Sequence, residues 1–210
     1  MSSCRYRSVT CPNCQHQGQL EVWDTINADA DPVLKKKLLD EFLFHWTCPN
    51  CKRTYFAPWE TIYQDKTNKF VLSFHPFEEK GEPFNPADPS LRRFTCRSVT
   101  GFYRLKEKIY LFESGLSDVA IELMKYYILN GHIKIEGIDT SGRELYFSDQ
   151  GKDESLGFYV VGQHRDVSTF RLPPSLYHQF LEMADSDGRF TIKEGFVSID
   201  YHWVNALMRR

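Results

Sequence analysis

The sequence predicts an α+β fold in two parts: an N-terminal β region with an inserted short helix, followed by an α/β half with antiparallel strands. Three observations predict it. The first 75 or so positions read as strands around one short helix, with Gln19-Leu-Glu-Val-Trp23 alternating polar and apolar side chains. Two consecutive segments near 102–129 carry helical periodicity. Proline-rich and glycine-rich breaks separate the remaining apolar runs at strand-like lengths. With 41% apolar and 15% aromatic residues in a 210-residue chain, there is enough side-chain volume for a buried core.

In chain order, Gln19-Leu-Glu-Val-Trp23 alternates as a half-buried strand does. A helix follows Asp31, read as its N-cap, with Pro32 at N1. Val33, Leu34, Leu38 and Phe42 fall near one face, and Lys35, Lys36 and Lys37 are expected in water. Residues 42–47 read as a strand leading to Cys48, and 59–64 and 69–75 as two more, joined by the turn-rich stretch 65–68. Residues 76–90 hold four prolines and cannot form a regular element. We read 1–80 as one region, 81–90 as a linker or long loop, and 91–210 as the second region.

In the second region, residues 94–99 suggest a strand. A helix from 102 to 113 stops at Ser114-Gly115, and a second, capped by Ser117, runs to Leu129. On that second helix Val119, Leu123, Met124, Tyr127 and Ile128 form the apolar face, and Asp118, Glu122 and Lys125 are expected to face out. Strands are expected near 132–138, 144–148, 158–162 and 196–201, and a further helix at 173–185, beginning at Pro173-Pro174.

The 26 Lys+Arg against 28 Asp+Glu leave a net charge of −2, near balance in both halves, which argues against nucleic-acid binding through bulk positive charge. No apolar stretch precedes Cys11, so a secretory leader is not expected. The apolar run 119–129 is broken by Glu122 and Lys125, well short of the ~20 residues that span a bilayer. The chain reads as cytoplasmic, with no membrane partner. In a reducing compartment, closely spaced cysteines are metal ligands or redox groups more often than disulfides.

Cys11-Pro-Asn-Cys14 and Cys48-Pro-Asn-Cys51 are identical. Two residues between cysteines allow both sulfurs to reach one ion at ~2.3 Å, and two such units supply the four ligands of a tetrahedral site. Pro12 and Pro49 pre-set the turns. The expected metal ligands are therefore Cys11, Cys14, Cys48 and Cys51, the expected ion is Zn²⁺, and the region reads as zinc-ribbon-like. The gap of 33 residues between Cys14 and Cys48 exceeds the usual ribbon spacer; the inserted helix accounts for the excess. Four thiolates close the coordination sphere, so the expected role is structural. A thioredoxin-like redox pair is the competing reading, but it needs only one such unit followed by a helix. Cys4 and Cys96 stand alone and read as small buried packing residues. His16 reads as an exposed loop residue.

These two tetrapeptides, the stretch Trp23-Asp-Thr-Ile-Asn-Ala-Asp-Ala-Asp-Pro32, the helix at 34–40, and Leu111-Phe-Glu-Ser-Gly-Leu-Ser-Asp118 with Ile121-Glu-Leu-Met-Lys125 resemble the CpXC domain. This bacterial and archaeal family is named for its two CPxC motifs. The resemblance covers roughly residues 8–130. It implies a zinc-ribbon-like region whose ligands map onto the four cysteines, and it carries no activity with it. Many CPxC knuckles have Gly after the second cysteine, where this chain has Gln15 and Lys52.

Weaker signals have simpler readings. Aligning Asp185-Ser-Asp-Gly188 and Glu194 with a calcium-binding loop puts Met183 at the first ligand position, so the segment reads as a polar turn. Asn27, Asp29 and Asp31 could hold a cation but read more simply as capping and solvated groups. Lys35, Lys36, Lys37, Lys52 and Arg53, with Trp46, Tyr55 and Trp59, could bind single-stranded nucleic acid, but read as a solvated helix face over an aromatic core. No metalloprotease, hydrolase-elbow or phosphate-loop motif occurs, so no catalytic residue is named. The chain reads as a non-enzymatic binding or adaptor protein whose partner is a protein or a nucleic acid. The competing class is an enzyme with an active site in 91–210.

Overall fold

A computed structural model describes residues 1–77, 89–162, 166–192 and 194–209. The chain divides into two compact units, Met1–Gly101 and Phe102–Arg210. The proposed break at 81–90 falls mostly outside the described residues. The fold is α+β, with β strands first and an antiparallel sheet in the second half, as the sequence predicts.

The first unit is built on a five-stranded sheet. Strands β1 (Ser3–Thr10) and β2 (Gln17–Asn27) form an antiparallel hairpin, closed by the pair Thr10 and Gln17. Helix α1 (Pro32–Leu39) follows, then the short antiparallel hairpin of β3 (His45–Thr47) and β4 (Thr54–Phe56). Next come β5 (Thr61–Asp65), β6 (Phe70–His75) and β7 (Thr95–Thr100). The strand order is β1-β2-β5-β6-β7, with β2 to β5 and β6 to β7 parallel. The interior strand β6 is buried at Phe70, Val71, Leu72, Ser73 and Phe74. Phe44 packs beside it, its ring 4.8 Å from that of Trp59 and 5.3 Å from that of Phe74.

The strand β1 is absent from the sequence reading because it buries no face: seven of its eight residues are exposed. In α1 the i,i+4 pair Leu34 and Leu38 is buried, whereas Val33 and Phe42 are 67% and 70% exposed, which narrows the predicted apolar face. Asp31 holds the N-cap position, but its side chain accepts no cap hydrogen bond. Cys96 is buried as expected; Cys4, on β1, is exposed, contrary to expectation.

The second unit pairs helices α2 (Phe102–Glu113) and α3 (Asp118–Leu129) with an antiparallel sheet of β8 (Glu144–Gln150), β9 (Leu156–Val161) and β10 (Val167–Leu172), ordered β10-β9-β8. Helices α4 (Pro174–Ser186) and α5 (Tyr201–Met208) complete it. Ser117 caps α3 as predicted, its hydroxyl accepting from the Ala120 N–H. Leu123, Met124, Ile128, Phe147, Phe158, Val160 and Phe180 share one core. Two predicted strands are absent. Residues 132–138 contain only an isolated bridge between Ile135 and Ile138. Tyr201 opens a helix rather than ending a strand, because Asp200 caps it by accepting from the Trp203 N–H.

The expected outward face of α3 is the largest correction. Asp118, Glu122 and Lys125 are all buried. Lys108 and Glu107 on α2 meet them: Lys108 Nζ lies 3.0 Å from Asp118 and 3.8 Å from Glu122, and Lys125 Nζ donates to Glu107 at 3.1 Å and to Glu122 at 3.0 Å.

Candidate metal centre

The two CPNC tetrapeptides occupy the tips of two antiparallel hairpins and adopt the same local structure. In the β1-β2 tip the Cys11 N–H donates to the His16 carbonyl at 2.9 Å, and the Gln15 N–H to the Cys11 carbonyl at 2.9 Å. In the β3-β4 tip the Cys48 N–H donates to the Arg53 carbonyl at 2.9 Å, and the Lys52 N–H to the Cys48 carbonyl at 3.0 Å. Gln15 and Lys52 close these turns with φ of 58° and 60°. That is the left-handed region where glycine is the unstrained residue, so the two departures from the usual knuckle sequence keep its backbone and carry its strain.

The hairpins bring Cys11, Cys14, Cys48 and Cys51 together, all four sulfurs lying within 4.8 Å of one another. Cys11 Sγ is 3.6 Å from Cys51 Sγ, and Cys14 Sγ is 3.7 Å from Cys48 Sγ. These separations exclude disulfides, whose sulfurs lie at ~2.05 Å. They approach the edge of about 3.8 Å of a tetrahedron built on metal–sulfur bonds of ~2.3 Å. The close pairs join one cysteine from each hairpin, so the donor set is shared between the tips. Four thiolate sulfurs in this arrangement fit a metal ion, and among the described residues no other His, Cys, Asp and Glu group does.

Polar groups around the Cys11 and Cys14 sulfurs favour their thiolates. Burial works against the Cys11 thiolate, but hydrogen bonds from the Cys14 N–H, the Tyr55 hydroxyl and the Asn13 N–H outweigh it and bring the pKa down to about 6. Cys14 is lowered by the His16 N–H and by the Asn50 side-chain amide, whose Nδ2 is 3.5 Å from its sulfur. Burial pushes Cys48 up to about 11. Tyr55 is pushed up to about 12 by burial and by the Cys11 sulfur 3.6 Å away. Donors aimed at sulfur spread the surplus negative charge that four thiolates place around a divalent ion.

Sequence reasoning missed the clamp that holds the tips together. Trp46 on β3 donates its indole N–H to the Gln19 carbonyl on β2 at 3.0 Å. Its ring packs so closely on Gly18 that a Cβ there would meet Trp46 Cζ2 at 2.6 Å. The available signal was a glycine two residues beyond the first knuckle's His16.

The other candidate groups have local duties. Asp29 accepts from the Lys66 and Thr67 N–H groups, and the Asn27 side chain from the Ala30 N–H. Asp187 is engaged by Arg189, as a polar turn requires. His16 is exposed and contributes its backbone carbonyl. Trp46 and Trp59 are 8% and 5% exposed. Lys36 pairs with Asp40, and Lys35 lies 3.8 Å from Asp65. A chain from Glu60 through His75 to Ser73 runs along a cleft in the first unit, with separations of 3.2 and 3.1 Å. Ser73 is 2% exposed in a strand paired on both sides, so its surrounding N–H groups serve the sheet rather than an oxyanion.

No curated protein and no solved structure matches the chain. A family model described as CpXC protein matches residues 9–125, which takes in both knuckles, the clamp, α1, α2 and most of α3. Spanning more than half of the sequence, that match makes this chain a member of the CpXC family.

Proposed function

We propose that the protein is a cytoplasmic, non-enzymatic binding or adaptor protein in which Cys11, Cys14, Cys48 and Cys51 hold a structural zinc ion. The observation that carries this reading is the meeting of two identical hairpin tips with sulfurs 3.6 and 3.7 Å apart. Four cysteine ligands leave no open position for substrate, and such a site contributes folding free energy. The zinc fixes a ribbon whose outer strand β1 is exposed and terminal in its sheet. An exposed edge of this length suits an extended protein segment added as a further strand. A protein partner is favoured over nucleic acid because Trp46 and Trp59 are packed away and Lys35 and Lys36 face carboxylates.

The test is the Cys48→Ser variant purified beside the wild type. The reading expects bound zinc and the protease resistance of 1–75 to be lost together, with residues 102–162 remaining protected. A variant that loses zinc yet keeps a folded ribbon contradicts a structural role, and a wild type that holds no zinc contradicts the site.

A further inference from the structure

Asp118, Glu122, Glu107, Lys108 and Lys125 form a buried group of three carboxyls and two ammoniums. Ionised throughout, it carries one negative charge in excess. Its polar atoms are largely satisfied: Glu107 Oε1 also accepts from the Phe147 N–H at 2.7 Å. Glu122 is the exception. Its Oε1 accepts from Lys125, whereas its Oε2 has no hydrogen-bond partner although the residue is 1% exposed. A buried carboxylate oxygen left unpaired costs free energy, and a group of this kind points to a ligand rather than to stability.

Glu122 lines a cavity of about 260 Å³ in the second unit, between α2, α3, β8 and the start of α5. That volume lies below the ~300–1,000 Å³ of drug-sized sites and suits a molecule of a few heavy atoms. Most charged groups in its wall are already engaged: Arg143 with Asp166, Glu144 with the Tyr146 hydroxyl, and Asp200 with the Trp203 N–H. Among the described residues, the charged wall groups left without a hydrogen bond or ion pair are Glu122 at Oε2 and Arg104. One is an anion on the buried wall and the other a cation on α2, so the lining offers complementary ends to a molecule bearing both charges. The Tyr146 ring, with Lys125 Nζ 5.8 Å from its centroid, supplies an apolar side between them.

We propose that this cavity binds a small zwitterion of the amino-acid class, with its ammonium on Glu122 and its carboxylate on Arg104. The site is independent of the cysteine cluster and does not rest on the zinc reading. The ammonium supplies the missing donor to Oε2 and cancels the excess charge; the carboxylate takes the bidentate geometry that a guanidinium favours.

The experiment titrates the full chain with each of the twenty standard amino acids up to about 10 mM, followed by NMR shifts of the protein, with ethylamine and acetate as single-ended probes. The expected result is that at least one amino acid binds roughly 10-fold or more tightly than either probe, since each end adds a charged hydrogen bond. Arg104→Met, outside the buried group, and Glu122→Gln should each weaken that binding by about 10-fold or more. Should Glu122→Gln fail to fold, Arg104→Met alone carries the comparison. Binding of no amino acid by the folded wild type, equal binding of acetate or ethylamine, or unchanged binding by Arg104→Met overturns the proposal.

Discussion

Gln15 and Lys52 show how a single residue sets the strain of a cysteine knuckle. Each occupies the left-handed region at the close of a knuckle, a conformation that disfavours an ordinary L-residue by about 1–2 kcal/mol and leaves glycine unstrained. A β-branched residue fits there worst. Gln15→Val should therefore lower the stability of the first unit by about 1 kcal/mol or more, whereas Gln15→Gly should leave it unchanged or raise it. Thermal melts of the zinc-loaded protein check the ordering. Gly18 has a different reason to be glycine: the Trp46 ring occupies the place of its Cβ. The four cysteines were legible in the sequence because their spacing is itself the chemistry. The Trp46 clamp was not, since its contact joins residues 28 positions apart.

At the scale of elements, α2 and α3 are held by charge as well as by apolar packing. Burial works against the Lys125 ammonium, but Glu107 and then Glu122 outweigh it and raise its pKa above the ordinary lysine value. Burial also dominates at Glu122, raising its pKa despite Lys125 and Lys108. Glu107, held by both of its oxygens, is thus the main counter-charge to Lys125. Lys125→Met should destabilise the second unit by about 3–5 kcal/mol, because it takes the ion-pair partner from buried Glu107 and leaves Glu122 facing only Lys108, 3.8 Å away; chemical denaturation measures it. The pH dependence follows from the direction at Glu122. The folded form holds that proton more tightly than the unfolded chain does, so the contribution is fully present below the ordinary value of 4.5 and is lost as pH rises through the raised one. In Glu122→Gln that decline should disappear, which melts recorded from pH 4.5 upward would reveal. Helical periodicity placed these three residues in water because it counts polar groups as outward-facing. Their partners Glu107 and Lys108 lie on the preceding helix, beyond the reach of a pattern read along one element.

The whole molecule combines two solutions to the same shortage of local information. In the first unit, β1 buries almost nothing and β3 and β4 have three residues each, too little to hold two hairpin tips together by apolar burial. Beside the Trp46 clamp, an ion held by the four sulfurs, as proposed, would supply the missing constraint, and the repeated tetrapeptide made that cluster visible in the sequence. In the second unit the core is continuous through α3, β8, β9 and α4, and the helices there were readable from periodicity and caps. The start of α5 was not, because one Asp200 cap decides between strand and helix over a short β-branched run. The central claim, a structural zinc held by four cysteines, is tested most directly by elemental analysis of anaerobically purified protein. The account predicts one zinc per chain, with no iron and no thiolate-to-iron colour, and its loss in Cys48→Ser. A wild-type protein that folds with no bound metal, or one that carries iron in zinc's place, would contradict it.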